Sequence, residues 1–327
     1  AYFQANDGVN GTELWRSDGT EPGTWMVADI APGSASSAPA LFAFMNGVLY
    51  FRAASSPSIN ELWRSDGTAT GTALVKQVAL SSAPVVMNGA LYFGATEAVT
   101  GAELWTSDGT AAGTVLVADL RAGASSSSPD SFTVIGSTVF FAADDGIVGR
   151  ELWKTDGTAA GTQLLADVRP GSATSSLTAL RALAGSLVFT ANDGVHGVEP
   201  WRSDGTALGT TLIADLLPGA SSSSPASTTI FDGALVFTAA NDVGASIFRS
   251  DGTTAGTVPF VSLTAATSDA SPAGLVALGG SVFFAATDVA HGTELWKSDG
   301  TLQGTVLVKD IHTGGSSSPA SLAVHGG

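Results

Sequence analysis

Apolar residues in this chain come in short runs separated by glycine, asparagine and aspartate, and one stretch shows the pattern that the rest repeats. It reads Phe132-Thr-Val-Ile, Gly136-Ser137, Thr138-Val-Phe-Phe-Ala, Asp144-Asp-Gly, Glu151-Leu-Trp-Lys, Asp156-Gly-Thr-Ala-Ala-Gly and Thr162-Gln-Leu-Leu-Ala-Asp. The four apolar runs are rich in β-branched and aromatic residues. None has the length or the 3.6-residue period of a helix. The pattern predicts four short strands, A to D.

The connections set the expected topology. Strands A and B are separated by pairs such as Asn46-Gly47, Asn88-Gly89 and Asp232-Gly233, which suit a tight hairpin with positive φ at both central residues. Strands C and D meet at Asp-Gly-Thr, where the carboxylate can accept backbone N–H bonds and the glycine takes the left-handed position. The D-to-A link is longest, for example Arg169-Pro-Gly-Ser-Ala-Thr-Ser-Ser. Four-stranded antiparallel meanders joined by such crossovers are the blades of a propeller.

The unit recurs. Ser/Thr-Asp-Gly-Thr occurs seven times, with its aspartate at 18, 66, 108, 156, 204, 251 and 299, and an aromatic residue stands three positions earlier each time: Trp15, Trp63, Trp105, Trp153, Trp201, Phe248 and Trp296. The expected fold is therefore all-β, a seven-bladed β-propeller with four-stranded antiparallel blades, forming one domain over residues 1–327. The chain stops at a strand A, Ser321-Leu-Ala-Val, and starts at a strand B, Ala1-Tyr2-Phe3-Gln4-Ala5. Pairing of these terminal strands is expected to close the ring and remove exposed edges.

Composition narrows the function classes. A chain of 327 residues exceeds the usual single-core domain, a limit that repeats escape because each packs only on its neighbours. With 13 Lys and Arg against 29 Asp and Glu, the net charge is −16. Nucleic acid and anionic membrane surfaces are poor partners for such a chain. The lack of cysteine rules out disulfides, thiol catalysis and thiolate metal sites. No apolar run approaches the ~20 residues of a membrane-spanning helix. Ala1-Tyr2-Phe3 does not read as part of a signal peptide.

Among the recurring residues, the aromatic series reads as core and Asp-Gly-Thr as a turn. The basic residue after the aromatic (Arg16, Arg64, Lys154, Arg202, Arg249, Lys297) is expected to pair with carboxylates of a neighbouring blade. The candidate chemistry is acidic. The B–C loop offers Asp7, Glu97, Asp145, Asp193 and Asp288, with Asp242 one residue out of step. Strand C opens with Glu13, Glu61, Glu103, Glu151, Glu199 or Glu294, and strand D closes with Asp29, Asp119, Asp167, Asp215 or Asp310. All three positions are expected on one face, with the Glu and the strand-D Asp nearly opposite each other.

Carboxylates that close repel unless something neutralises them. Two readings are open. In one, calcium, which takes six to eight oxygen ligands, sits among the acids of each complete blade. In the other, the Asp side chains cap loop amides and the Glu pairs with the nearby basic residue. No other cofactor is expected. Four histidines, His196, His291, His312 and His325, lack metal spacing, and no Ser-His-Asp set stands out from tracts such as Ser125–Ser128.

Glu151-Leu-Trp-Lys-Thr-Asp-Gly-Thr, Glu103-Leu-Trp-Thr-Ser-Asp-Gly-Thr and Glu294-Leu-Trp-Lys-Ser-Asp-Gly-Thr resemble the ELWxxDGT repeat, sometimes called hyalin-like, of large secreted or surface proteins of bacteria. The chain departs from it at Glu199-Pro-Trp and Ser246-Ile-Phe. The resemblance implies an extracellular or cell-surface propeller and brings no catalytic residues. The function expected is non-enzymatic binding or adhesion, lectin-like through repeated weak sites, with a glycan or protein partner. The alternatives are an architectural or protein–protein scaffold domain of a surface assembly and, third, a glycan-processing enzyme.

Overall fold

Alternation of large apolar and small or polar residues, cut by residues that tolerate positive φ, folds here into short antiparallel strands. The computed structural model describes residues 1–56, 60–242, 244–261 and 270–324. Among them every regular element is a strand, and no helix is long and apolar enough to cross a membrane. The strands form seven antiparallel sheets in chain order. The fourth is representative: Asp130–Ile135, Thr138–Asp144, Arg150–Thr155 and Gln163–Ala166, paired in that order. The expected strands A to D are all present in it.

Two sheets differ. In the third, strand A is two short pieces, Ala79–Leu80 and Val85–Met87, both paired with Ala90–Glu97. The first has three strands, Tyr2–Asn6, Thr12–Ser17 and Thr24–Ala28. The segment expected to complete it, Ser321–Val324, is not in a strand, and His325–Gly327 lie outside the described residues.

The chain packs as two compact units. One comprises residues 1–167 and 171–173 and the other residues 168–170 and 174–327, so they hold sheets one to four and five to seven. In the first unit Phe51, Phe93 and Phe141 of successive strands B are fully buried, as are Leu49, Leu91 and Val139. In the second, Leu183, Val188, Ile213, Leu235, Phe237 and Phe248 form one apolar cluster across sheets five and six. Burying such a side chain contributes about 1.5–3 kcal/mol. The aromatic series is core as expected: Trp105, Trp153, Trp201 and Phe248 are buried and Trp15, Trp63 and Trp296 half-buried.

Strands C and D slip by one residue beside the aromatic. In the fourth sheet Leu152 pairs with Ala166 but Trp153 pairs with Leu164, so Leu165 bulges and is buried. Val27, Val75, Val117 and Phe260 occupy the same bulge in sheets one, two, three and six and are also buried. A bulge of this kind re-aims one side chain and bends the strand.

The turns follow the sequence. Asn46 and Gly47, Asn88 and Gly89, and Asp232 and Gly233 all have positive φ, as the A–B hairpin requires. At Asp-Gly-Thr, Asp108 Oδ1 accepts from both the amide and the hydroxyl of Thr110, and the Thr110 hydroxyl oxygen accepts from Gly113 N. All seven copies repeat this wiring. Gly109 is needed twice over. Its φ is +91°, and a Cβ there would strike the Tyr50 hydroxyl of the preceding sheet.

Two members of the basic series differ from the expectation. Arg16 donates to the carbonyl of Gly67 and Arg202 to that of Gly252, each in the Asp-Gly-Thr turn of the following sheet of its own unit. Arg16 also lies over the Tyr2 and Trp25 rings. These two side chains reach a turn carbonyl, not a carboxylate.

Candidate functional site

The recurrent acids lie where strand C begins, strand D ends and the crossover to the next sheet departs. Leu104 pairs with Ala118 and Leu152 with Ala166, which places Glu103 beside Asp119 and Glu151 beside Asp167 at the strand ends. The Glu and the strand-D Asp are thus near neighbours, as the sequence implies.

Glu13, Glu61, Glu103, Glu151, Glu199 and Glu294 are fully buried. Glu103 Oε1 accepts from Ser127 N at 2.8 Å, and Oε2 accepts from the Ser127 hydroxyl at 2.6 Å and from Leu120 N at 2.9 Å. Glu199 is held by Ser223 N, the Ser223 hydroxyl and Leu216 N at 2.7, 2.6 and 3.0 Å. Glu13 with Ser37 and Ile30, and Glu294 with Ser317 and Ile311, repeat the set. The serine then turns outward: its carbonyl accepts an amide of the next strand B, Ala54 N for Ser37, Asp144 N for Ser127 and Ala240 N for Ser223. One carboxylate therefore clamps the crossover, and the clamped serine carries the next sheet.

Burial pushes the Glu103 and Glu199 carboxyls above their ordinary range, with the neighbouring Asp119 and Asp215 charges adding to it, while the serine and loop N–H donors pull the other way. Those donors are what neutralise the buried charge. The Glu is thus tied to serine and backbone N–H donors.

The strand-D aspartates close their own loop. Asp29, Asp119, Asp167 and Asp215 accept through Oδ2 from the amides of Gly33, Gly123, Gly171 and Gly219 at 3.2–3.4 Å. The B–C aspartates cap loop amides: Asp7 those of Val9 and Asn10, Asp145 those of Ile147 and Val148, Asp193 those of Val195 and His196 and Asp288 that of His291. Glu97 ends a strand B and Asp242 lies just beyond one. Among the described residues no three His, Asp or Glu side chains are placed to hold a metal ion. The three acidic positions share one end of the sheets that carry them.

Two features escape the sequence reading. The serine stands 24 residues after its Glu at Ser37, Ser127 and Ser223, and 23 after it at Ser317. That fixed interval is the signal that would have found it. The second is a pair of His–Asp contacts: His196 Nδ1 lies 2.7 Å from Asp193 and His291 Nδ1 2.8 Å from Asp288. The Asp hydrogen bond raises both imidazoles above their ordinary value.

Concave surface is uneven. The second unit has a cleft of about 480 Å³ lined by Ile230, Phe231, Asp232, Leu278, Gly280 and Asp299, at the A–B turns. It is not built from the recurrent acids.

No protein-family model and no curated protein matches the chain. Several solved structures do, at identities that show the fold alone. A computationally designed protein, Ika8, matches at 17% identity with a TM-score of 0.50, covering 95% of this chain and 86% of its own. A structure from a study of two prolyl endopeptidases, concerned with inter-domain dynamics in catalysis and specificity, matches at 15% identity with a TM-score of 0.54. Prolyl oligopeptidase B from Galerina marginata matches at 11% identity with a TM-score of 0.57. Each covers 94% of this chain, which spans only 46% and 49% of their lengths. The matched parts of these two are β-propeller domains.

These likenesses correct the function expected from the sequence. The two natural neighbours named above carry this fold in prolyl peptidases, not in adhesion, lectin, scaffold or glycan-processing proteins. The physical basis of the error is plain in the clamp. The recurrent glutamates among the carboxylates that suggested repeated ligand sites are buried, and four of them are engaged by a crossover serine.

Proposed function

We propose that this chain is a non-catalytic propeller unit of a peptidase-type protein, working beside a separate catalytic unit and governing which peptides reach it. The observation that carries the reading is the coverage: prolyl peptidase structures span nearly all of this chain while it accounts for less than half of them. Among the described residues, neither His196 nor His291 bonds a serine or threonine hydroxyl, which supports placing the chemistry elsewhere. The ELWxxDGT resemblance supports an extracellular setting as part of the same reading.

The test is to recover the polypeptide that carries this chain from the cells and the medium of its native source and assay it on short and long proline-containing peptides. The carrier is expected in the medium and to cleave. The isolated chain does not cleave, and severing it from the carrier abolishes discrimination by peptide length. A carrier without peptidase activity contradicts the proposal.

The ring belongs to the proposal too. Tyr2–Asn6 pairs with Thr12–Ser17 on one side only among the described residues, and Ser321-Leu-Ala-Val has the sequence of a strand A. The chain has no cysteine, so pairs such as Phe3→Cys with Ala323→Cys report closure cleanly. Rapid disulfide formation in at least one such pair is expected for a closed ring, and none in any pair for an open one.

A further inference from the structure

The tryptophans have an end that the core does not explain. The indole Nε1 of Trp15, Trp105, Trp153, Trp201 and Trp296 is buried and donates to no group among the described residues. In sheets four, five and seven a second buried atom is also unpartnered, Oδ1 of Asp167, Asp215 and Asp310, the strand-D aspartates. A buried donor or acceptor left without a hydrogen bond forfeits its hydration with nothing in return, so three sheets carrying one of each demand a partner.

Sheet two shows where these atoms lie. There the strand-D position is Gln77, and Trp63 Nε1 donates to Glu61 Oε2 at 3.1 Å while Gln77 Nε2 donates to Glu61 Oε1 at 3.3 Å. The indole edge, the Glu carboxylate and the strand-D side chain therefore meet at one point. In sheet five the Glu is occupied instead by its serine and by Leu216 N, and the indole loses that acceptor. Substitutions within the chain track the same set. Trp, Glu and Asp occur together in sheets one, three, four, five and seven. In sheet six the Trp is Phe248, the Glu is Ser246, and the strand-D position, Ser262, lies outside the described residues.

We infer that sheets four, five and seven each hold one internal water molecule, accepting from the Trp indole N–H and donating to Oδ1 of the strand-D aspartate beside the clamped Glu. The lining selects the ligand. An indole N–H points the positive end of a dipole into the site, and in sheets five and seven the Glu oxygens already accept from N–H and O–H donors. A calcium ion needs six to eight oxygen ligands and would be repelled by that indole N–H. A water both accepts and donates, and buried waters satisfy groups left unpaired in this way.

A crystal structure of the chain at a resolution that orders internal waters, with Trp201→Phe in parallel, tests the assignment. Phe is tolerated at this position, because Phe248 occupies it, buried, in sheet six. The wild type is expected to show a peak within hydrogen-bond distance of Trp153, Trp201 and Trp296 Nε1, and none at Trp63. In Trp201→Phe the peak in sheet five is lost and those in sheets four and seven persist. In solution, the three indole protons show cross-relaxation to a long-lived water. A direct Nε1–Oδ1 bond, a dry site, or a peak with the short ligand distances of a metal would each overturn it.

Discussion

At the scale of single residues, the aspartates of the seven Asp-Gly-Thr turns have a pH behaviour opposite to that of Glu103 and Glu199. In the Asp-Gly-Thr turns, the hydroxyl and then the amide of the threonine two residues on hold Asp18, Asp66, Asp108, Asp156, Asp204, Asp251 and Asp299 below their ordinary value. A carboxyl whose folded pKa is depressed adds stability above its unfolded pKa and loses it as pH falls through the folded one. Glu103 and Glu199, raised by burial, act the other way, giving most below their unfolded pKa and least once pH passes the folded one. Seven turns share the first sign, so the melting temperature should drop as pH falls below about 4. Asp108→Asn keeps the Oδ1 acceptor and loses the titration. Thermal melts from pH 7 to pH 3 should show a shallower acid-side fall for this variant than for wild type. An unchanged slope would mean that the turn carboxyls do not set it.

At the scale of elements, strand identity and turn type were legible because each rests on a local rule. Phe141 and Trp153 lie opposite each other in the fourth sheet because β-rich runs flanked by glycine and aspartate can form little else. Positive φ at Asn46 and Gly47 follows from the pair itself. The bulge at Leu165 was not legible, because a register slip leaves strand composition unchanged. Nor was the clamp. Ser127 sits inside Ser125–Ser128, and nothing local marks the one hydroxyl that meets Glu103. The basic series misled for a related reason: charge suggested a carboxylate partner, but Arg16 and Arg202 found turn carbonyls of the following sheet, a contact visible only after sheets pack. Sheet two confirms the clamp by exception. With the interval from Asp66 to Asp108 shortened to 42 residues, Glu61 turns to Trp63, Gln77 and Ser55 N.

At the scale of the molecule, the same device appears in both units, Glu13–Ser37 and Glu103–Ser127 in one, Glu199–Ser223 and Glu294–Ser317 in the other. An acidic chain spends its most regular charges on its own connections. What remains for partners is the exposed surface, which differs from repeat to repeat. The claim that the buried glutamates are joints of the fold is tested most directly by double-mutant cycles on Glu103→Ala with Ser127→Ala, and on Glu199→Ala with Ser223→Ala, read by chemical denaturation. Each pair should show about 1–3 kcal/mol of coupling, the double variant being less destabilised than the sum of its singles, and calcium or a chelator should leave the coupling unchanged. Additivity within about 0.5 kcal/mol in both units, or coupling that appears only with calcium, would contradict the account.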